Sequence, residues 1–388
     1  MEREYIEGFR LSPQQSRLWL LQKTTGDIAY RAQCAILIEG WLEIPRLQAA
    51  LERIIERHEI LRTTFHCLPG MTLPVQVIND QRSYCYSEMS VNLMGEEEQQ
   101  IEIEKLFSEE LCHPLDFKNG PLVVAKLVAL TPQKHVLFIS LPALYADSIS
   151  LKNLVYELSL LYEDGLTDEV IQYADISEIF SGFLEDQETE VARGYWKQQG
   201  TLALDSLKLP FEQNSVESEL FIPDILQWQL NREIVTKLES MAIVLNTSIS
   251  LLLLAGWQSL MYRFTGQSDI MIGLIFAGRT FEGLESVPGL FAKILPISCH
   301  YQDSSRLSDI CDQLSRAEQE ASEWQDYFDL ERVSDRSNNI SESVYFPFYF
   351  EFIDQILKYS KGGVSFSICK HYSCFDRFKI KLSCLHQT

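Results

Sequence analysis

The chain has 388 residues, 46% of them apolar, and a formal charge of −22. That length is enough to bury two cores of ordinary domain size, and so acidic a surface argues against nucleic acid and anionic membranes as partners. Nine cysteines without a CxxC pair or a Cys/His cluster argue against a zinc site and a disulfide framework, so no metal is expected and most cysteines are read as small core residues.

MEREYIEGF (1–9) has charge but no apolar run behind it and is not read as a signal peptide. IPRLQAALERIIERHEILRTTF (44–65) reads as a helix and then a strand, because Leu47, Leu51, Ile54, Ile55 and His58 recur at helical spacing before a β-branched and aromatic run. His58 falls on the inner face and is read as a hydrogen-bonded core histidine. GEEEQQIEIEKLFSEEL (95–111) reads as a solvated helix whose apolar side carries Ile101, Leu106 and Leu111. HVLFISL (135–141) is a short continuous apolar run, the mark of a strand buried on both faces. SISLKNLVYELSLLYEDG (148–165) places Leu151, Leu154, Val155, Leu158 and Leu161 on one helix face, with Asp147 or Ser148 to cap its start and Gly165 to end it. The pattern turns polar and irregular around LKLPFEQNSVESEL (207–220) before new helix and strand signals begin. A lobe boundary is therefore placed between residues 180 and 220, giving an N-terminal lobe over 1–180 and a C-terminal lobe over 181–388, each mixing helices with strands. The longest apolar stretch, ISLLLLAGWQSLMY (249–262), is too short to span a bilayer and carries Trp257 and Gln258, so no membrane is expected and a cytoplasmic location is.

Several segments line up, in order, with one family. LSPQQSRLWLL (11–21) carries Gln15, Arg17, Leu18 and Trp19; RHEILRTTF (57–65), HPLDFKNGPLVVAKL (113–127), YADIS (173–177) with YW (195–196), FTGQSDIMIGLIFAGR (264–279), VPGLFAKILPI (287–297) and RSNNISESVYFPFYFEF (336–352) follow. Together they resemble the motifs of the condensation domains of nonribosomal peptide synthetases, over essentially the whole chain. The resemblance implies an α/β (α+β) fold of two chloramphenicol-acetyltransferase-like lobes in a V around a central tunnel. It implies substrates held as thioesters on the phosphopantetheine arms of carrier proteins, with no cofactor bound directly. The partners it implies are peptidyl or acyl carrier proteins and neighbouring synthetase domains. By the same comparison FDRFKIKLSCLHQT (375–388) looks like the start of the family's final segment, so the C-terminal lobe is expected to be truncated.

The family's third motif is His-His-x-x-x-Asp-Gly, on the loop after a buried strand. Here that loop reads LPALYADS (141–148): Pro142 and Ala143 replace the two histidines, Asp147 keeps its place and Ser148 replaces the glycine. An attacking ammonium group must lose a proton before it can reach a thioester, and an imidazole near pKa 6.5 suits that work. Ala143 cannot do it, and general-base help is worth about 10²- to 10⁴-fold. Thioester aminolysis is intrinsically facile, so positioning alone leaves room for residual turnover. The resemblance further implies that Asp147 pairs with Arg62 and pins the loop to the first lobe; helix capping is the alternative role. Tyr145, with an ordinary pKa near 10, is a weak substitute base and is otherwise an aromatic packed under the loop. Ser148 is read either as a cap for the next helix or as a group that narrows the tunnel. His135 lies about 20 Å along the extended strand, and His66, His113, His300, His371 and His386 show no spacing that forms a constellation.

Two further motifs are weakened. Phe291, Ala292, Lys293 and Ile294 replace the family's Asn-Thr stretch, and Trp324, Gln325, Asp326, Tyr327 and Phe328 keep only the centre of the sixth motif. Lys293 and Trp324 are therefore tunnel candidates, with Lys293 read either as a surface cation or as a contact for a phosphopantetheine phosphate. Two functions follow. One is a condensation-like domain without catalysis that docks carrier-bound intermediates or recruits a tailoring enzyme. The other is a noncanonical domain that still forms an amide or ester between two carrier-bound substrates; a free-standing acyltransferase of the same fold is a third, weaker reading.

Overall fold

The computed structural model describes residues 8–387 apart from 82, 164, 166–168, 184–188, 200–208, 211, 213–219, 331–343 and 356–357. Two sheets organise the described residues. The first has six strands in the order β10-β11-β1-β6-β5-β4, drawn from Tyr359–Lys361, Val364–Ser373, Arg31–Gly40, Lys134–Pro142, Val124–Thr131 and Cys85–Ser90. The second has the order β12-β9-β7-β8, drawn from Ile380–Gln387, Phe348–Gln355, Asp269–Phe276 and Lys293–His300. A two-stranded ribbon joins β2 (Thr63–His66) to β3 (Val75–Ile78).

The apolar run read as a doubly buried strand is β6. Leu137, Ile139 and Leu141 enter the core under α2 (Ile44–Arg57) and α4 (Ser148–Leu161), while Val136 and Phe138 enter a second cluster under α3 (Glu96–Leu111). Strand alternation sends one set to each face, so helices on both sides of the sheet make the run continuous. The buried face of α3 differs from the one expected: Ile103, Leu106 and Phe107 are buried, whereas Ile101 is 67% exposed. Leu106 serves both registers, and the sheet selects the side with Phe107. His58 is buried and hydrogen-bonded to Glu157 of α4 at 2.6 Å, as read.

In the second sheet Phe348 and Phe350 of β9 face a core with α8 (Ile249–Thr265) and α9 (Leu307–Glu323). Tyr349, one step along the strand, belongs to a different cluster with Met271. By the same alternation Glu351 points away from the helices, toward the first half of the chain.

The two halves are not contiguous in sequence. β10 and β11, inside the 181–388 half, complete the first sheet, and β11 pairs antiparallel with β1 so that Cys34 faces His371. The chain then crosses back through residues 374–379 into β12, which runs parallel to β9 with Ser383 beside Glu351. Burying Val364, Phe366 and Ile368 in the first core holds this crossover in place. The stretch 207–220 and the first part of the last motif, 336–343, lie mostly or wholly outside the described residues.

Candidate functional site

The motif loop begins where β6 ends, with Pro142 in register with Arg31 of β1. Every residue from Pro142 to Ser148 is buried, and Ala143 has 0% exposure. Gln15, from the first motif, donates its amide to the Leu144 carbonyl at 3.0 Å and so holds the loop from below. Tyr145 packs on Phe65 with ring centroids 6.1 Å apart and donates its hydroxyl to the Thr63 carbonyl. Burial raises its pKa far above the ordinary phenol value, so it stays protonated and supplies no base.

Asp147 is the N-cap of α4: its Oδ1 accepts the Ser150 amide at 2.8 Å. Its partner cation is not Arg62. Arg279 donates to both carboxylate oxygens, at 2.9 and 3.0 Å, and lies at 4.5 Å over the Phe291 ring. The Phe291 and Ala292 amides add bonds to Oδ2 of 3.1 and 3.0 Å. Arg62 instead donates to the Asn79 carbonyl at 2.7 Å and to Glu59 at 3.2 Å. The physical reason is reach. Loop 277–292, between β7 and β8, comes across to α4, and Gly278 at φ 65° lets it turn so tightly that a Cβ there would lie 1.8 Å from the Phe291 oxygen. Arg279 stands next in line, aimed at the cap.

Ser148 does not cap α4. It is the first helical residue, and its hydroxyl donates to Glu351 of β9. Glu351 also accepts from Lys381 at 2.7 Å and from the Ser383 hydroxyl at 3.0 Å. Burial alone raises a carboxyl, but Lys381, His371 and these hydrogen bonds outweigh it and hold Glu351 below its usual range. His371 sits against the same cluster, with a backbone hydrogen bond to Ser148. Burial pushes its imidazole down to about 4, against the opposing pull of Glu351. Nε2 of its ring is enclosed and, among the described residues, without a hydrogen-bond partner. The sequence reading missed both Glu351 and His371. They lie 203 and 223 positions after Ser148, on β9 and β11, and only tertiary packing brings them to it.

The Lys293 and Trp324 side chains have their partners elsewhere. Lys293 is buried and paired with Asp326, so it is not a surface cation; burial lowers its pKa against the pull of that carboxylate. Trp324 stacks on Tyr195 at 5.8 Å, its carbonyl accepts from the Trp196 indole at 3.1 Å, and it packs against the second lobe's core. His300 and His386 pair with Asp269 and Asp354, both at 2.7 Å. Most cysteines are not core residues: only Cys34, Cys299, Cys311 and Cys374 are buried. Among the described residues no group of three or more His, Cys, Asp or Glu could hold a metal, and no single described helix is long and apolar enough to cross a membrane.

The family model for the condensation domain matches residues 6–361. Bacitracin synthase 1 of Bacillus licheniformis is 28% identical over 320 residues, which is 82% of this chain and 6% of that protein. Tyrocidine synthase 3 of Brevibacillus parabrevis is 27% identical over 323 residues, 83% of this chain and 5% of that protein. The chain thus spans a small part of each of these relatives. Among solved structures, a starter condensation domain of rhizomide synthetase, in complex with C8-CoA, superposes with a TM-score of 0.80 at 18% identity, over 97% of this chain and 86% of that one. The first condensation domain of the calcium-dependent antibiotic synthetase, with a substrate analogue, gives 0.80 at 16% identity, over 94% and 84%. With its two-lobed chloramphenicol-acetyltransferase-like architecture and a family match over nearly its whole length, this chain belongs to the condensation-domain family of nonribosomal peptide synthetases.

Proposed function

We propose that this domain does not form the peptide bond and serves instead as a non-catalytic platform within a synthetase, docking carrier-protein-bound intermediates or recruiting a tailoring enzyme. One observation carries the reading. The loop where the resembled motif keeps its histidines is sealed and already consumed: Ala143 is fully buried, and Asp147 is saturated by Arg279 and three amides. No group on that loop is left to take a proton from an amine. The substrates are expected on phosphopantetheine arms, with partners among the neighbouring carrier domains. The acidic composition and the family membership fit a cytoplasmic setting.

A second reading keeps catalysis, and His371 beside Ser148 is what favours it. Magnitude weighs against it. A base works best with a pKa near the working pH, and an imidazole held down to about 4 is poorly matched to an amine's proton. Its Nε2 is also enclosed.

The test uses the purified chain with two loaded carrier proteins, followed by mass spectrometry of the carrier-bound products. The expected result is carrier binding, measured by calorimetry, with amide formation at the background rate. Amide formation well above that background, and lost in His371→Ala, would establish the second reading instead.

A further inference from the structure

We propose that Ser148 and Glu351 form a clasp that, beside the Asp147–Arg279 pair, keeps the two halves shut over the motif loop. The proposal deepens the non-catalytic reading and rests on it. The start of α4 is tied to the second half repeatedly. Asp147 takes Arg279 and the Phe291 and Ala292 amides, Ser148 takes Glu351, and the Gly289 amide donates to the Ser150 hydroxyl at 3.0 Å. The Asn153 amide reaches the Glu285 carbonyl at 2.6 Å one turn later. Ser148 stands where the resembled motif has glycine, so its hydroxyl is the group that glycine could not supply. Its acceptor is a carboxylate held ionised by Lys381, which makes the bond a strong, charge-assisted one. The chain crossing between β11 and β12 anchors that acceptor from both sheets, since Lys381 also donates to the Ser373 carbonyl at 2.7 Å.

Hydrogen exchange on the full chain tests the clasp, because the Phe291, Ala292 and Gly289 amides donate across the junction and report its opening. In Ser148→Ala, and in Ser148→Gly, their exchange is expected to rise about ten- to hundredfold, the loss of one hydrogen bond to a charged acceptor. The amides of Leu137 and Ile139 in β6 should keep their wild-type rates. Unchanged exchange at the three junction amides in both variants overturns the clasp. A rise shared equally by β6 also overturns it, since the bond would then support the fold rather than the closure. Carrier-to-carrier amide formation by the unmutated chain would defeat the non-catalytic reading and leave the exchange result to stand or fall separately.

Discussion

Asp147 and Arg279 lie 132 positions apart and meet as a two-pronged ion pair, with side chains 1% and 3% exposed. Such a pair is costly to break from one side because the remaining charge is left buried. Arg279→Ala is expected to destabilise the fold by about 3–5 kcal/mol. Arg62→Ala removes a partly exposed pair and one carbonyl contact and should cost about 1 kcal/mol. Urea denaturation of the two variants decides between the partners, and equal losses would show that Asp147 does not depend on Arg279.

Restoring the missing imidazoles should not restore chemistry. Ala143 is fully buried, and inserting a larger side chain into a packed core costs about 1–3 kcal/mol. Pro142→His combined with Ala143→His should lower the thermal midpoint and leave amide formation between loaded carriers at background. Turnover regained in that double variant would mean that the centre still opens to substrate.

Acid should weaken the junction through His371. Its folded-state pKa, about 4, lies below the ordinary 6.5, so between those values the unfolded chain holds a proton that the folded chain does not. The stability is therefore complete above pH 6.5 and is lost as pH falls toward 4, by up to about 3 kcal/mol. Glu351, held below its usual range, adds a further loss only at lower pH. Urea midpoints from pH 7 down to 4 should fall more steeply in the wild type than in His371→Asn; parallel slopes would remove His371 as the cause.

Tyr145 is structural in this arrangement. Tyr145→Phe keeps the ring on Phe65 and loses only the bond to the Thr63 carbonyl. A cost of about 0.5–1.5 kcal/mol is expected, with carrier affinity unchanged by calorimetry. A large drop in affinity at wild-type stability would give the hydroxyl a role at the surface that its burial argues against.

Local pattern was enough for much of the architecture. The periodicity of α2 and α4, the doubly buried β6 and the Asp147 cap follow from side chains a few positions apart, and so they could be read directly. The ordered motifs gave the two-lobed fold by resemblance, and the loss at Pro142 and Ala143 was visible in the letters themselves. What surrounds Asp147 and Ser148 depended on distant pairings. Two cations, Arg62 and Arg279, were available to one carboxylate, and only the path of loop 277–292 chose between them. Glu351, His371 and Lys381 carry no mutual spacing that marks a site, because strand crossover rather than sequence separation sets their distance from α4. Propensity and periodicity act over one or two turns of chain, while burial and charge pairing are settled where separate segments meet in space.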